Sequence, residues 1–546
     1  MAKSAAKKKQ GSQPSPSIKG AASPPLNPYN STPLYNLLCG FRRAQDQWVA
    51  RYVTILSAVV LWSAVGLGLY SGMGQKPING DFEAQRHWME ITTHLPINQW
   101  YFYDLQYWGL DYPPLTAFHL WLFGVVGNFI DPRWFALDVS RGIENPQIKT
   151  FMRMSSIISQ LVFFVPAVMG LLHQLGTQKK NLTRMNHIIV IALILYLPAL
   201  VLIDHGHFQY NSVMLGLFLL SVGDLIKGNL MLASVWFMSS ILFKQMALYY
   251  SPFIFVYILA RLFTPKKTLG ATILSFSFGR LVVVGLTVIV TTIIMVFPFL
   301  LAASNGSEAV SLIKQILIRM FPFERGLFED KVANFWCSTN LVVKYSQKFT
   351  HEQLKLMSLV CTIGAFTPPC VMIFWKSIRR QSHNPDYVIY GFSATAWAFY
   401  LFLFQVHEKT VLVPLVPTLF LLLTTDRSTI AHVQWINNVS IFSLFPLLKK
   451  DGLSLQYYSM FLMINWLMGG FTLSTKSNML WPSGSNLLSK LVIVSSYLVI
   501  PIYHLVEHNI LPPSRFPDLW VIANTTFSFA CFSWFYLWLM YKIYNL

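Results

Sequence analysis

Charged residues are scarce in this sequence. Only 12% of its 546 residues are Asp, Glu, Lys or Arg, whereas about a quarter of the residues of soluble domains are charged. Apolar residues make up 54% of the chain, and the mean hydropathy is +0.48. This composition excludes an ordinary soluble protein. At about 20 apolar residues per crossing, it predicts an all-α polytopic membrane protein with about a dozen spans or more.

Several motifs of binding and catalysis are also missing. The five cysteines have neither the spacing of a metal site nor a CxxC pair, and they form no disulfide framework. Gly-rich phosphate loops of the Walker and Rossmann types are absent, as is the GxSxG motif of serine hydrolases. The net charge of +19 is too scattered along the chain for a nucleic-acid-binding domain. Soluble-nucleotide chemistry, serine hydrolysis and nucleic-acid binding are therefore unsupported.

The first 51 residues form a basic segment without an apolar core. They contain eight Lys or Arg and one acid, Asp46, and they begin with a Lys-rich, Ser/Pro-rich stretch. We expect residues 1–51 to be a disordered cytoplasmic tail, followed by one membrane domain over 52–546. Because no signal-peptide core precedes it, the first span is expected to act as the targeting signal.

Fourteen apolar runs have about the length of a membrane-spanning helix. They lie at 52–70, 151–172, 187–203, 211–226, 229–244, 246–263, 281–302, 354–375, 387–404, 410–425, 430–447, 455–473, 489–506 and 519–540.

A further run, 115–130, follows Pro113-Pro114 and is ambiguous. If it does not cross the membrane, the Lys/Arg-rich connections after the even-numbered spans lie on the same side as the basic N-terminus, as the positive-inside rule requires. If it does cross, all of them move to the opposite side. We therefore interpret 115–130 as a membrane-dipping or interfacial helix.

This topology leaves two long loops, 71–150 and 303–353, on the non-cytoplasmic side. Residues 73–150 contain eight acidic and five basic residues, whereas the cytoplasmic connections are basic. Of the glycosylation sequons, only Asn305-Gly-Ser falls in a loop on the far side.

Ionisable residues cluster at four places that this topology puts on one membrane face. Such residues are costly near a bilayer and commonly functional, so four distant clusters on one face predict a site at the membrane surface. Lys244, at the end of a predicted span on that face, could add a cation or extend to the interface. The clusters are 80–88 with Asp104 and Asp111, 204–211, 328–336 and 405–410.

The residue types favour group transfer from a phosphate-linked donor. A carboxylate can deprotonate an incoming hydroxyl, while His, Lys or Arg neutralises the departing phosphate. His205 and His207 allow a metal site as an alternative, but they lack the HExxH spacing and no thiolate assists them. Aromatic residues crowd 101–112, which suits either a sugar-binding groove or an interfacial aromatic belt.

Seven motifs resemble one enzyme family. GDFEAQRHWMEIT, YDLQYWGLDYPPLTAFH, DHGHFQYNSVMLG, FKQMALYYSP, RGLFEDKVANFWC, FQVHEKT and LLKKDGLSLQY together resemble the dolichyl-phosphate-glucose-dependent glucosyltransferases of the GT-C superfamily, in the endoplasmic reticulum (ER). The resemblance is closest to the branch that adds the first glucose to the lipid-linked N-glycan precursor. It runs from about residue 35 to the C-terminus.

The resemblance implies a GT-C fold of about 14 transmembrane helices with two long lumenal loops. It also implies an inverting transfer of glucose from dolichyl-phosphate glucose to Man9GlcNAc2 on dolichyl pyrophosphate, with an α-1,3 linkage. The site would face the ER lumen and the N-terminus the cytoplasm, and no cofactor or divalent metal is implied.

The resemblance also assigns residues. Asp81 would be the general base, and His407 would contact the donor phosphate. Asp111, Glu329 and Asp330 are expected in the donor or acceptor site. Together with the polar clusters, the full set of expected substrate-binding residues is His407, Asp111, Glu329, Asp330, His205, His207, Gln209, Tyr210, Arg86 and Lys244.

Two alternatives stay open. One is the sister enzyme that adds the second glucose from the same donor, although DHGHFQYNS resembles the first enzyme. The other is a transporter of lipid-linked sugars that uses the same acids as a relay. The long acidic loop disfavours a transporter, because transporters place ionisable residues near the bilayer midplane on broken helices.

Overall fold

The structure is a computed structural model, and it describes residues 27–43, 45–179, 182–321, 331–379 and 384–546. These residues form 24 α-helices and no β-strand. Helices α1 to α8 comprise Pro33–Leu38, Gln47–Gly66, Asp81–His94, Pro114–Ile130, Pro146–Ser159, Val165–Gln178, Arg184–Leu195 and Pro198–Val201. Helices α9 to α16 comprise Asn211–Lys227, Leu230–Phe243, Ser251–Arg261, Leu269–Ile273, Phe278–Ala302, Gly306–Met320, Phe335–Val343 and Tyr345–Lys348. Helices α17 to α24 comprise His351–Arg379, Pro385–Phe402, Leu412–Leu419, Arg427–Ser443, Phe445–Lys450, Ser454–Leu467, Leu487–Asn509 and Leu519–Asn545.

Two π-helical segments lengthen the α-helices that they follow. Gln160–Phe164 connects α5 to α6, and Leu202–Phe208 extends α8 at its C-terminal end. Local sequence explains several helix starts. Asn145 caps α5 by accepting from the backbone N–H of Gln147 at 2.7 Å, and Pro146 occupies the first helical position, where no N–H is needed.

Six helical stretches in the described part of the chain are long and apolar enough to cross a membrane. This confirms a polytopic, all-helical membrane protein. Each of the fourteen predicted spans is at least mostly helical, but the crossing of those outside the six stretches stays a prediction. The six are Gln47–Gly66, Pro146–Gln178, Arg184–Phe208, Phe278–Ala302, His351–Arg379 and Leu487–Asn509.

The helices separate into a buried centre and a periphery. Helix α9 is buried around nearly its whole circumference, and the ring of Phe218 stacks on that of Tyr250 with centroids 3.6 Å apart. Helix α13, by contrast, buries only Val284, Thr291 and Phe299 along 25 residues. A helix that is apolar on all sides is stable either within a protein core or against lipid. Helix α9 shows the first case and helix α13 the second.

The N-terminal segment differs from the expectation of disorder. Residues 1–26 lie outside the described residues, but residues 27–43 include helix α1. The fully buried Tyr29 donates its hydroxyl to the carbonyl of Leu422 at 2.7 Å. The first span also begins at Gln47, not at residue 52. The burial of Tyr29 against the helical body thus places part of a segment whose basic composition had predicted a disordered tail.

Helix α4 is the ambiguous run, and it forms as a 17-residue helix. Its exposed face is apolar and includes Phe129, which is 90% exposed. The chain before α4 contacts helix α3 through the rings of Tyr112 and Trp88, 5.1 Å apart. The chain after α4 returns to α3, where the carbonyl of Trp134 accepts from Arg86 at 3.1 Å. The chain segments on both sides of α4 therefore contact one short helix, α3.

Candidate active site

Asp81 is the first residue of helix α3, and its position depends on a close backbone approach. A Cβ atom on the preceding Gly80 would lie 2.6 Å from the carbonyl carbon of Ser71, so only glycine fits there. The hydroxyl of Ser71 accepts from the backbone N–H of Asp81 at 3.2 Å. The N-terminus of a helix favours negative charge, which suits an ionised carboxylate at this position.

Two residues of the second cluster donate to the same oxygen of Asp81. His207 Nε2 lies 3.0 Å from Asp81 Oδ2, and the side-chain amide of Gln209 donates to that oxygen. Residues two apart would point to different sides of a helix. Between them, Phe208 has a φ of +94°, which is rare for a residue with a side chain. This backbone break at the end of the π-helical segment lets both side chains reach one carboxylate.

Lys409 completes the set of donors around Asp81. It lies in a short 3₁₀ turn, Glu408–Val411, before helix α19, and its ammonium forms an ion pair with Asp81 Oδ2. Lys409 Nζ also lies 3.3 Å from His207 Nε2. Residues from the first, second and fourth predicted clusters therefore meet at one carboxylate.

Electrostatics keep Asp81 ionised. Burial opposes the charged form, but Lys409 and His207 outweigh it and hold the pKa of Asp81 well below its usual value. The side chain of Asp81 is 23% exposed, so the carboxylate stays reachable from outside.

The other nitrogen of His207 contacts a second carboxylate. His207 Nδ1 lies 2.5 Å from Asp451 Oδ2, and both side chains are almost fully buried. Asp451 follows helix α21, and it belongs to the LLKKDGLSLQY motif. The imidazole of His207 thus lies between Asp81 and Asp451.

Lys244 lies behind Gln209. Its buried ammonium donates to the amide oxygen of Gln209 at 2.9 Å and to that of Asn211 at 2.7 Å. Because Lys244 takes the oxygen of Gln209, the NH₂ group of that amide is turned toward Asp81. Asn211 in turn donates to Asp204 Oδ1 at 2.9 Å. Lys244 therefore reaches Asp81 through Gln209.

The structure does not bring three of the predicted residues to Asp81. His205 Nε2 lies 2.7 Å from the amide oxygen of Gln160, and Tyr210 shares a 2.5 Å hydrogen bond with Ser155. Arg86 is wholly buried and donates to Glu83 and Glu90, each at 2.7 Å. Substrate binding by these three residues stays a prediction.

His205 and His207 also do not face a common point. Each makes its own hydrogen bonds, and the described residues contain no group of three or more metal-ligating side chains.

The remaining predicted residues lie nearby or outside the described chain. His407 precedes the 3₁₀ turn that carries Lys409 and is half-buried. Asp111 lies within electrostatic range of Lys244. Glu329 and Asp330 fall outside the described residues. Just after them, Lys331 forms an exposed ion pair with Asp518.

Two residues at the site were not predicted as site residues. Lys409 is part of the fourth cluster, so its position in the sequence carried the signal. Asp451 is part of a motif that carried the family resemblance, but nothing in its surroundings along the chain indicated a contact with the histidine 244 positions earlier.

An ionised carboxylate held by Lys409 and His207, on a helical membrane protein, fits an enzyme of group transfer. The sequence profile described as the ALG6, ALG8 glycosyltransferase family matches residues 55–539, and the chain belongs to that family. It is therefore a membrane glycosyltransferase.

Curated relatives match along nearly the whole chain. A dolichyl pyrophosphate Man9GlcNAc2 alpha-1,3-glucosyltransferase of Saccharomyces cerevisiae is 45% identical over 539 residues, which cover 95% of each chain. A probable enzyme of the same name from Schizosaccharomyces pombe is 42% identical over 515 residues, or 94% of this chain and 96% of the relative. The enzyme of that name from Gallus gallus is 35% identical over 517 residues, or 90% and 96%.

Proposed function

We propose that this protein transfers glucose from dolichyl-phosphate glucose to the Man9GlcNAc2 oligosaccharide on dolichyl pyrophosphate, with inversion and an α-1,3 linkage. The acceptor corresponds to the names of the relatives, and the donor and the inversion come from the family resemblance. The observation that carries the proposal is the Asp81 carboxylate, which meets three donors, His207, Gln209 and Lys409, from two distant parts of the chain.

In the proposed reaction, Asp81 acts as the general base. It accepts the proton of the mannose 3-hydroxyl as that oxygen attacks the anomeric carbon of glucose. The bond from this carbon to the phosphate oxygen breaks, and its electron pair leaves with dolichyl phosphate. The phosphate is a stable leaving group, so one carboxylate base suffices without a strong general acid.

Lys409 and His407 are suited to the departing phosphate. They lie two positions apart at one turn, and Lys409 already forms an ion pair with the carboxylate of Asp81. A phosphate arriving there would compete with Asp81 for the ammonium. This competition would weaken the ion pair that lowers the basicity of Asp81, so donor binding itself would prepare the base.

We further propose that the site faces the ER lumen and the N-terminus the cytoplasm. The positive-inside pattern supports this orientation, as do the residues that flank helix α4 on both sides, which contact the same helix α3. That contact favours a dipping α4 within one long lumenal loop, followed by a second at 303–353. The ER assignment rests on the acceptor, an N-glycan precursor.

A transfer assay in defined liposomes tests the proposal. Purified protein receives dolichyl-phosphate glucose together with either the Man9GlcNAc2 lipid or its singly glucosylated product. We expect glucose only on the first acceptor, in an α-1,3 linkage. Transfer to the glucosylated acceptor alone would indicate the sister enzyme, and movement of lipid-linked sugar without transfer would indicate a transporter.

A further inference from the structure

The turn at Asp451 is built to hold one side chain in place. Helix α21 ends there, and the backbone N–H of Leu453 bonds to the carbonyl of Leu448 at 2.8 Å in a Schellman-type cap. Gly452 takes a φ of +72°, which glycine adopts without strain. The fully buried Leu453 packs toward Gly206, one residue before His207. The carboxylate of Asp451 therefore sits on a fixed turn against the segment that carries His207.

The backbone opposite this turn is fixed as well. Arg153 donates to the carbonyl of Gly206 at 2.6 Å and to that of Leu69 at 3.1 Å. Ser71 donates its backbone N–H to the carbonyl of His207 at 3.1 Å, and its hydroxyl accepts from Asp81. The backbones of Asp81 and His207 are thus tied to each other through one serine. These bonds fix the backbone of His207 but not the orientation of its ring. Asp451 contacts that ring.

We propose that Asp451 is a positioning residue, which holds the imidazole of His207 in the orientation that presents Nε2 to the carboxylate of Asp81. This role rests on the proposed function, in which Asp81 is the base. Asp451 accepts from Nδ1–H, so the ring cannot turn its other edge toward Asp81 without losing a buried hydrogen bond. Asp451 itself lies on the far side of the ring and acts only through His207.

Several charged groups surround this chain of three residues. Lys409 contacts both Asp81 and His207, and Arg153 lies within electrostatic range of Asp451. Lys244 reaches Asp81 through Gln209. Without the negative charge of Asp451, the protonated form of His207 would be less stable. Because protonated His207 lowers the pKa of Asp81, that pKa would rise. The acid limb of the pH profile would then move toward neutral pH.

The experiment compares the wild type with Asp451→Asn and Asp451→Glu in the liposome assay. For Asp451→Asn we expect kcat to fall about 100-fold, KM for both substrates to stay within about twofold, and the acid limb to move upward in pH. Asp451→Glu should restore part of kcat, because it returns a carboxylate near Nδ1. His207→Gln combined with Asp451→Asn should lose no more than His207→Gln alone.

Asp224→Asn is the matched control. Asp224 is also a buried aspartate, with contacts to Lys227 and Trp236, but it lies near the far end of helix α9, about 20 Å from Asn211 at 1.5 Å per residue. We expect its pH profile to match the wild type even where its thermal unfolding midpoint falls.

The outcomes separate the role of Asp451 from the proposed function. Wild-type protein that transfers no glucose would overturn the proposed function and this role with it. Active wild type with normal kcat in Asp451→Asn would overturn the positioning role alone. So would losses that multiply in the double variant, or a loss of activity with an unchanged pH profile, since these indicate a structural role.

Discussion

Lys409 and Asp81 are 328 positions apart in the sequence, and they form an ion pair at the centre of the candidate active site. The pair joins the start of helix α3 to the turn before helix α19. Because the ammonium also approaches His207, two basic groups share one carboxylate oxygen. The basicity of Asp81 therefore depends on what else binds these two groups.

Asp81→Asn should abolish glucosyl transfer and leave the fold intact. Asn has nearly the same volume and keeps an oxygen for Lys409 and His207, but it cannot accept the proton of the acceptor hydroxyl. We expect a loss of at least about 100-fold in kcat with a thermal unfolding midpoint close to that of the wild type. Asp518→Asn, at an exposed ion pair, serves as the control. Near-normal turnover in Asp81→Asn would remove Asp81 as the base.

Lys409→Met should move the acid limb of kcat/KM to higher pH. Burial raises the pKa of Asp81, and Lys409 is the foremost group that lowers it, so removing the ammonium raises that pKa. Asp81 would then be protonated, and inactive as a base, at a pH where the wild type still works. Lys331→Met removes an exposed lysine and should leave the profile unchanged. An acid limb that stays in place would show that Lys409 does not control Asp81.

Much of the fold could be predicted, because apolar runs of about 20 residues have few alternatives to helices in a membrane. The convergence of the clusters could also be predicted in part, since Asp81, His207 and Gln209 do meet. The backbone break at Phe208 could not be predicted, because no residue type in the sequence indicates it. The contact of Asp451 depends on tertiary packing and left no local pattern.

Arg86 shows the opposite case, a residue whose surroundings differ from the expectation. A conspicuous arginine close to the proposed base Asp81 suggests substrate binding, yet Glu83, Glu90 and Ser140 surround its guanidinium. Burial raises the pKa of Glu90, but the hydrogen bonds and charges of His87 and Arg86 lower it to about 2. Composition cannot show which of several charged groups will pair with one another.

Arg86→Met should therefore destabilise the protein. It leaves two buried carboxylates without their cation, and breaking such a pair costs about 3–5 kcal/mol. Thermal unfolding in detergent, monitored by tryptophan fluorescence, measures the effect. Arg133→Ala removes an arginine that is 86% exposed and should change the midpoint little. An unchanged midpoint in Arg86→Met with a raised KM would instead support substrate binding by Arg86.

Chelation of divalent metals should leave activity intact. In the proposed reaction Lys409 and His407 neutralise the phosphate, and the nitrogens of His207 are engaged by carboxylates. Protein treated with EDTA and returned to metal-free buffer should transfer glucose at the untreated rate. Activity that returns only with added Mn²⁺ or Mg²⁺ would restore the metal interpretation of His205 and His207.

The membrane side of Arg133 decides the topology of helix α4. If α4 dips and returns, Arg133 lies in the lumen. If α4 crosses, Arg133 lies in the cytoplasm. A single cysteine at this exposed position, in a variant without the five native cysteines, can be labelled by a membrane-impermeant maleimide in sealed ER vesicles.

We expect Arg133→Cys to be labelled only after the vesicles are opened. Lys267→Cys, at an exposed residue of a predicted cytoplasmic connection, should be labelled in sealed vesicles and so shows that the reagent works. The contacts of α3 with Tyr112, before α4, and with Trp134, after it, favour this result, because a crossing α4 would place these two flanking residues on opposite faces of the bilayer. Labelling of Arg133→Cys in sealed vesicles would make α4 a span and reverse the side of the positively charged connections that follow.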